Sequence, residues 1–337
     1  MEACLYEKLE GNVVQCNLCH HRCRIKDGRR GICQVRENRH GILETLVYGR
    51  LIARHVDPIE KKPLFHVLPG TRSYSIATVG CNFRCAFCQN ADIAQLPADH
   101  QGMIVGDTVT PEQVVSEALA RGCRSIAYTY TEPTVFFEFA RDTARLATTK
   151  GLRNVFVTNG YMTPEALDDI GSDLHAANVD LKAFSDDFYR TYCGARLKGV
   201  TETLAYMHQI GIFVEVTTLV IPGLNDDPAE LRALADFIVS TLGPRTPWHV
   251  SRFHPTYRLL DHPVTPLATL TRAREIGLQA GLHHVYVGNA PGLDGEDTLC
   301  PACGQLLIQR RGFALGAMRL KNGACPDCGT PVAGIWE

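Results

Sequence analysis

The chain lacks an excess of charge of either sign. Its 337 residues include 34 lysines and arginines and 36 acidic residues, which give a formal net charge of −2. This balance excludes a uniformly basic nucleic-acid-binding protein, so nucleic acid is not an expected partner. The chain also lacks any apolar run near the ~20 residues of a membrane-spanning helix, and its first residues lack the basic and apolar regions of a secretory leader. We therefore expect a cytoplasmic protein without a membrane segment.

Cysteine, by contrast, is abundant. Eleven of the 14 cysteines lie in three tight groups, and the others, Cys4, Cys123 and Cys193, stand alone as expected small buried residues. In a reducing compartment, cysteines bind metals more readily than they form disulfides. Each group therefore predicts a metal site. The groups are the N-terminal cysteine set of Cys16, Cys19, Cys23 and Cys33; the central trio of Cys81, Cys85 and Cys88; and the C-terminal cysteine set of Cys300, Cys303, Cys325 and Cys328.

The cysteine groups divide the chain into zones. Residues 1–56 form a cysteine-rich, basic segment, and residues 57–72 form a connector interrupted by proline and glycine. Residues 73–294 are expected to form the core domain, and residues 295–337 a small module resembling a zinc ribbon. Hydrophobic residues make up 45% of the chain, which is enough to build a sizeable core.

Within the core, apolar β-branched runs alternate with helical patterns. Three helices begin at recognisable caps, Thr110-Pro111, Thr163-Pro164 and Asp227-Pro228. Strands that alternate with helices predict parallel pairing through right-handed crossovers. Six or seven units favour an α/β fold of the partial (β/α)6 TIM-barrel type, in which chemistry lies at the carboxyl ends of the strands. The expected strands are Tyr74–Val79, Ser125–Tyr130, Asn154–Thr158, Asn178–Leu181, Phe213–Val220, His249–Phe253 and His284–Val287.

The central trio directly follows the first core strand, in a Cys-x3-Cys-x2-Cys loop. Three thiolates on one short loop can hold three irons of a [4Fe–4S] cube and leave the fourth iron open to a substrate or cofactor. Zinc with three cysteines and a water is the alternative, although structural zinc prefers four protein ligands. We therefore predict a catalytic iron–sulfur site at Cys81, Cys85 and Cys88.

This loop, with Phe87 directly before the third cysteine, closely resembles the signature of the radical S-adenosylmethionine (SAM) superfamily. The resemblance implies that SAM binds the open iron through its amino and carboxylate groups. It also implies that one electron from the reduced cluster cleaves SAM to a 5′-deoxyadenosyl radical. An external one-electron reductant is then a required partner.

The resemblance extends to residues at the ends of later strands and implies roles for them in binding SAM. Tyr130-Thr131-Glu132-Pro133 stands where the superfamily has Gly-Gly-Glu-Pro, so Glu132 would accept from the methionine ammonium without the usual two glycines. Asp180-Leu181-Lys182 matches a motif of glycyl-radical activating enzymes, in which the lysine pairs with the SAM carboxylate. His254 would lie near the ribose and Phe87 beside the adenine. The implied SAM contacts are Phe87, Glu132, Asn159, Asp180, Lys182, Thr217 and His254.

A finer resemblance covers nearly the whole chain. The segment Asp57–His66, the N-terminal cysteines and the closing Cys325-Pro326-Asp327-Cys328-Gly329 resemble the AmmeMemoRadiSam-system radical SAM enzymes, which are similar to pyruvate formate-lyase activating enzymes. That family implies Memo-like and AMMECR-like partner proteins and hydrogen abstraction from a small-molecule or peptide substrate. One alternative is an activase that installs a glycyl radical on a partner enzyme. A less favoured alternative is a non-catalytic metal-binding scaffold for RNA or protein.

The outer cysteine sets predict closed metal sites. In the C-terminal set, two Cys-x2-Cys-Gly turns lie 21 residues apart, which is typical of a structural zinc ribbon. In the N-terminal set, Cys16-x2-Cys19-x3-Cys23 is followed by Cys33. Zinc is favoured there, with an auxiliary [4Fe–4S] cluster as the alternative.

Overall fold

The structure is a computed structural model that describes residues 1–337. Its strands are β1 (Tyr6–Leu9), β2 (Val13–Cys16), β3 (Arg24–Ile25), β4 (Arg36–Arg39), β5 (Ile42–Thr45), β6 (Arg50–Leu51), β7 (Ala53–Pro58), β8 (Arg72–Ala77), β9 (Asp107–Thr108), β10 (Ser125–Tyr128), β11 (Arg153–Thr158), β12 (Ala176–Asp180), β13 (Phe213–Val220), β14 (Trp248–Arg252), β15 (Val285–Gly288), β16 (Thr298–Leu299), β17 (Leu306–Arg311) and β18 (Ala314–Met318). Its α-helices are α1 (Ala91–Ala94), α2 (Leu96–Asp99), α3 (Pro111–Ala120), α4 (Phe137–Thr149), α5 (Pro164–Ile170), α6 (Asp186–Phe188), α7 (Leu197–Gln209), α8 (Pro228–Phe237) and α9 (Leu267–Ala280).

The main sheet has eight strands in the order β7-β8-β10-β11-β12-β13-β14-β15. The seven strands from β8 to β15 pair in parallel, and β7 adds an antiparallel edge to β8. The order follows the chain without reversal, and the outer strands β7 and β15 are not hydrogen-bonded to each other. The predicted α/β fold built on a parallel sheet is confirmed, and each of the seven expected strands overlaps an observed one.

The helix caps form as the sequence predicts. Thr110 and the side chain of Gln113 make a reciprocal capping box at the start of α3. The Thr163 side chain accepts from the amide of Ala166 at the start of α5. The Asp227 side chain accepts from two amides at the start of α8. These caps fix where each helix begins and so help to set the length of each crossover.

The segment 57–72, expected as a connector, packs against the sheet. Its residues Ile59, Leu64, Val67 and Leu68 are buried with small side chains of three sheet strands, Ala127, Val155 and Ala176. The amides of Phe65 and His66 donate to the buried Glu215 carboxylate of β13. The segment therefore covers one face of the sheet.

The C-terminal strands β16, β17 and β18 form a small antiparallel sheet that docks on this segment. Arg310 of β17 is fully buried and donates to the carbonyl of Phe65 at 2.7 Å. The ring of His66 lies 2.7 Å from the carbonyl oxygen of Ala333. The module is therefore anchored by polar contacts to the segment 57–72. None of the helices combines the length and apolar character that a bilayer crossing requires.

Candidate active site

The cysteine loop, residues 78–90, connects β8 to α1 and carries Cys81, Cys85 and Cys88. Two of its amides are held by a neighbouring π-helical turn, Tyr189–Cys193. Arg84 donates to the carbonyl of Cys193 at 2.8 Å, and Ala86 donates to the carbonyl of Tyr192 at 2.8 Å. These bonds fix the loop at the carboxyl edge of the parallel sheet.

The three thiols of the loop are partly or fully buried, but their sulfurs do not converge on a single metal position. Cys85 is buried, whereas Cys81 and Cys88 are half-buried. Burial raises the pKa of Cys81, and it raises that of Cys88 to about 11, so these thiols stay protonated until a metal displaces the proton. The three sulfurs do not converge within 4.8 Å of one another, as the ligands of one ion would. The trio fits separate corners of an iron–sulfur cluster better than a single ion.

Glu132 is buried in the next loop along the sheet. Its Oε1 accepts from the amide of Thr134 at 3.0 Å, from the Thr134 hydroxyl at 2.5 Å and from the hydroxyl of Thr158 at 2.8 Å, whereas its Oε2 accepts only from the amide of Asn159 at 2.8 Å. Burial raises the pKa of this carboxyl, while these donors oppose the rise. Each carboxylate oxygen has about two acceptor sites, so Oε2, with one protein donor, retains one for an external donor. Glu132 therefore suits a cationic group such as an ammonium.

The backbone before Glu132 keeps a glycine-like shape without glycine. Tyr130 has a φ of 62°, in the left-handed region that a side chain makes costly. Two contacts hold it there: the Asn90 side chain donates to its carbonyl at 2.8 Å, and its hydroxyl bonds to the buried Asp57. The turn before Glu132 is therefore kept, although the two glycines of the superfamily's Gly-Gly-Glu-Pro motif are absent from this sequence.

Two asparagines lie beside Cys81. The side chain of Asn159 donates to that of Asn82 at 2.7 Å, and its nitrogen is 3.8 Å from the Cys81 sulfur. The Asn159 Oδ1 and the Asn82 Nδ2 are buried and have no partner. Unsatisfied buried polar atoms are costly, so this pair fits a polar ligand placed next to the cysteine loop.

Lys182 lies between Asp180 of β12 and the cysteine loop. Its Nζ is 2.8 Å from Asp180 and 5.8 Å from the centre of the Phe87 ring. Burial lowers the pKa of this lysine, but the negative charges of Asp180 and the Cys85 thiolate outweigh burial and hold the pKa above its ordinary value. Thr217 pairs with Asp180 in the sheet, and its buried hydroxyl has no partner. The charged Lys182 ammonium and the unpartnered Thr217 hydroxyl therefore lie at the same edge of the sheet.

Six of the seven expected SAM contacts are linked to one another or to the cysteine loop by the contacts described above. The seventh, His254, follows β14 and is exposed, and its loop contacts the cysteine loop, where the amide of Arg258 donates to the carbonyl of Ala86 at 2.9 Å. Sequence reasoning missed Asn82 and Asn90, although both flank the cysteines and the first stands between Cys81 and Phe83. Cys193 is buried, as the sequence predicted, but its contact with Cys85, which lowers the pKa of the Cys85 thiol, was not predicted. No spacing signal links Cys193 to a loop more than 100 residues earlier.

The C-terminal cysteine set is the chain's most compact group of potential metal ligands. Its four sulfurs all lie within 4.8 Å of one another, with Cys300 and Cys328 at 3.5 Å and Cys303 and Cys325 at 3.7 Å. Zinc with bonds near 2.3 Å places tetrahedral sulfurs about 3.8 Å apart. A metal ion fits this group.

Comparisons with known proteins identify similar sequences and a similar fold. A sequence model of the radical SAM superfamily matches residues 75–237. An uncharacterized protein of Methanocaldococcus jannaschii is 45% identical over 333 residues, which are 98% of each chain. The pyruvate formate-lyase-activating enzyme of Clostridium pasteurianum is 25% identical over 176 residues, 50% of this chain and 70% of that enzyme. Streptococcus suis SuiB bound to S-adenosylmethionine has a similar fold, with a TM-score of 0.52 at 13% identity over 69% of this chain and 53% of SuiB.

Proposed function

Because the chain belongs to the radical SAM superfamily and is a radical SAM enzyme, we propose that it cleaves SAM at a [4Fe–4S] cluster held by Cys81, Cys85 and Cys88. The observation that carries the proposal is the loop itself, which holds three thiols within eight residues at the carboxyl edge of a parallel sheet. We interpret this sheet as the partial barrel expected from the sequence. When bound and reduced, the cluster supplies the electron that converts SAM to a 5′-deoxyadenosyl radical and methionine.

The residues around the loop have separate roles in this proposal. Glu132 accepts a hydrogen bond from the SAM ammonium through its free acceptor site. Lys182 pairs with the SAM carboxylate, and Asp180 keeps the lysine charged and oriented. Asn159 and Thr217 offer polar atoms that lack partners within the protein. Phe87 covers the adenine, and His254 lies near the ribose.

The substrate is proposed to be a small molecule or peptide that gives up a hydrogen atom to the radical. The resemblance to AmmeMemoRadiSam-system enzymes supports Memo-like and AMMECR-like proteins as partners, with an external one-electron donor. A zinc ion at the C-terminal cysteine set would have a structural role, because a module of ~40 residues buries too little core to fold unaided. Its sulfur distances support zinc.

A second candidate is a glycyl-radical activase, in which the hydrogen donor is a glycine of a partner protein. The similarity to the Clostridium pasteurianum activating enzyme favours this candidate, together with the Asp180-Leu181-Lys182 motif. The two candidates share the SAM chemistry and differ only in the hydrogen donor.

The test of the proposal is SAM cleavage by anaerobically reconstituted protein. Supplied with a low-potential reductant and SAM, the wild type should form 5′-deoxyadenosine, and Cys85→Ala should form none. Cys123→Ala removes a buried cysteine outside the site and serves as the matched control, with full activity expected. If the wild type holds an EPR-active cluster and yields no more product than Cys85→Ala, the proposal is wrong.

Deuterium transfer separates the two candidates. A deuterated small molecule or peptide that labels 5′-deoxyadenosine supports the first candidate. Label transferred only from a partner protein with deuterated glycine supports the activase.

A further inference from the structure

The four thiols of the N-terminal cysteine set line one cavity. Its wall is mostly apolar and includes Leu18 and Ile25, and its polar contributors are Arg36, His21, Asn82 and Thr134. Cys16 ends β2, and its amide bonds to the carbonyl of Cys23 at 2.9 Å, which closes the first turn of the site. Cysteines as far as 17 residues apart in the sequence thus line one cavity.

The spacing of these thiols differs from that of the C-terminal set in the same structure. The four C-terminal sulfurs converge within 4.8 Å, as a single tetrahedral ion requires. The N-terminal sulfurs surround a shared cavity but do not converge in this way. The sulfurs of the catalytic trio likewise do not converge within 4.8 Å of one another. An open set of four thiols around a cavity fits a cluster with one thiolate at each corner, and fits a single zinc ion poorly.

A buried cation faces the same cavity. Arg36 is 1% exposed, donates to the Cys16 sulfur at 3.3 Å and leaves its Nε without a partner. A hydrogen bond from a cation to a thiolate ligand stabilises the more negative, reduced state of a cluster. Zinc has no redox change for such a bond to favour.

The cavity borders the catalytic cysteine loop. Asn82, which follows Cys81, lines the cavity, and its carbonyl oxygen is 2.8 Å from the Nε2 of His21. A Cβ placed on Gly80 would lie 3.3 Å from the carbonyl oxygen of Cys33, so the two cysteine-bearing backbones are in contact. A redox centre in this cavity would be directly adjacent to the catalytic one.

We propose that Cys16, Cys19, Cys23 and Cys33 hold a second [4Fe–4S] cluster that delivers electrons to the catalytic cluster. The step is a one-electron transfer in which no bond forms or breaks. A low-potential protein donor of the ferredoxin or flavodoxin class reduces the N-terminal cluster by one electron, and that electron then reduces the catalytic cluster. The delivery role rests on the proposed function, whereas the identity of the metal centre does not.

The metal centre is tested in protein whose catalytic trio is removed by Cys81→Ala, Cys85→Ala and Cys88→Ala. After anaerobic reconstitution with iron, sulfide and zinc, this variant should keep about four irons and four sulfides per chain, half the wild-type content. Its reduced cluster should give an EPR signal that SAM does not change. Zinc near two per chain without iron would overturn the proposal.

The electron path is tested on the wild type, so that no variant needs to fold. During reduction by a limiting protein donor, freeze-quenched samples should show the SAM-insensitive EPR signal before the SAM-sensitive one. Reduction of the SAM-sensitive cluster first, with the other still oxidised, would overturn the delivery role. A wild type without any SAM-sensitive cluster would refute the proposed function, yet iron in the triple variant would still support the second cluster.

Discussion

The ion pair between Arg36 and Glu138 should respond differently to mutation in the metal-free and metal-loaded protein. Both side chains are 2% exposed, and the guanidinium bonds to one carboxylate oxygen and to the Cys16 sulfur. The other carboxylate oxygen has no partner, although the amide of Cys4 also donates to the bonded one at 2.9 Å. Glu138 therefore neutralises a cation that also faces the N-terminal cysteine set.

Glu138→Gln leaves Arg36 buried and unpaired when the thiols carry no metal. Breaking one side of a buried pair costs about 3–5 kcal/mol, and this is the expected loss in the free energy of unfolding. With metal bound, four thiolates and the metal centre carry net negative charge beside the guanidinium, so the loss should fall to about 1–3 kcal/mol. Arg36→Met removes the cation itself and should cost about 3–5 kcal/mol in both states.

Anaerobic urea unfolding of both variants, with and without prior metal removal, measures these four values. Replacing both residues, as Arg36→Met with Glu138→Leu, should recover most of the loss in the metal-free protein because no charge remains buried. An equal loss for Glu138→Gln in the two states would refute the reasoning, since the metal site would then not share the Arg36 charge.

Three further predictions concern SAM binding, the contact between the cysteine loops and acid stability. Glu132→Gln should weaken SAM binding by about ten- to a hundred-fold, because a charge-assisted hydrogen bond contributes about 1.5–3 kcal/mol. Calorimetry on the reconstituted protein measures this affinity. An unchanged affinity would exclude the contact between Glu132 and the SAM ammonium. Gly80→Ala should lower the free energy of unfolding by about 1–3 kcal/mol, since φ is +101° and the new Cβ would lie 2.6 Å from a Val35 methyl group. An unchanged free energy of unfolding in urea would contradict this close contact. Burial lowers the pKa of His284 to about 4, so the unfolded chain takes up a proton between about pH 6.5 and 4 that the folded protein does not. Stability should therefore fall by about 3 kcal/mol as the pH drops through this range, and His284→Gln should flatten that fall; parallel urea-unfolding profiles for the two proteins would refute the assignment.

The strands and helix starts could be predicted because each is determined by a short stretch of sequence. The β-branched run Phe213–Val220 became β13 with the same bounds, and the caps at Thr110 and Asp227 formed as expected. The cysteine loop could be located for the same reason, since its three thiols lie within eight residues. Parallel pairing then placed Glu132, Asn159 and Lys182 on one edge.

Contacts between distant parts of the chain could not be predicted in this way. The segment 57–72 reads as a connector because of its prolines, but burial of Ile59 and Leu64 and the bonds to Glu215 fix it against the sheet. Cys193 reaches the cysteine loop only through the π-helical turn, which has no sequence signature. The left-handed Tyr130 likewise depends on Asn90 and Asp57, two residues from other loops. Each of these features depends on tertiary packing that overrides local preference.

The central claim is that the Cys81, Cys85 and Cys88 cluster binds SAM at an iron without a protein ligand. The most direct measurement is EPR with electron–nuclear double resonance on the reduced wild type, using SAM labelled with ¹⁵N at the methionine amino group. We predict a change in the cluster signal on adding SAM and a ¹⁵N coupling that Cys85→Ala lacks. A reduced cluster whose signal is unchanged by SAM and shows no ¹⁵N coupling would contradict the account.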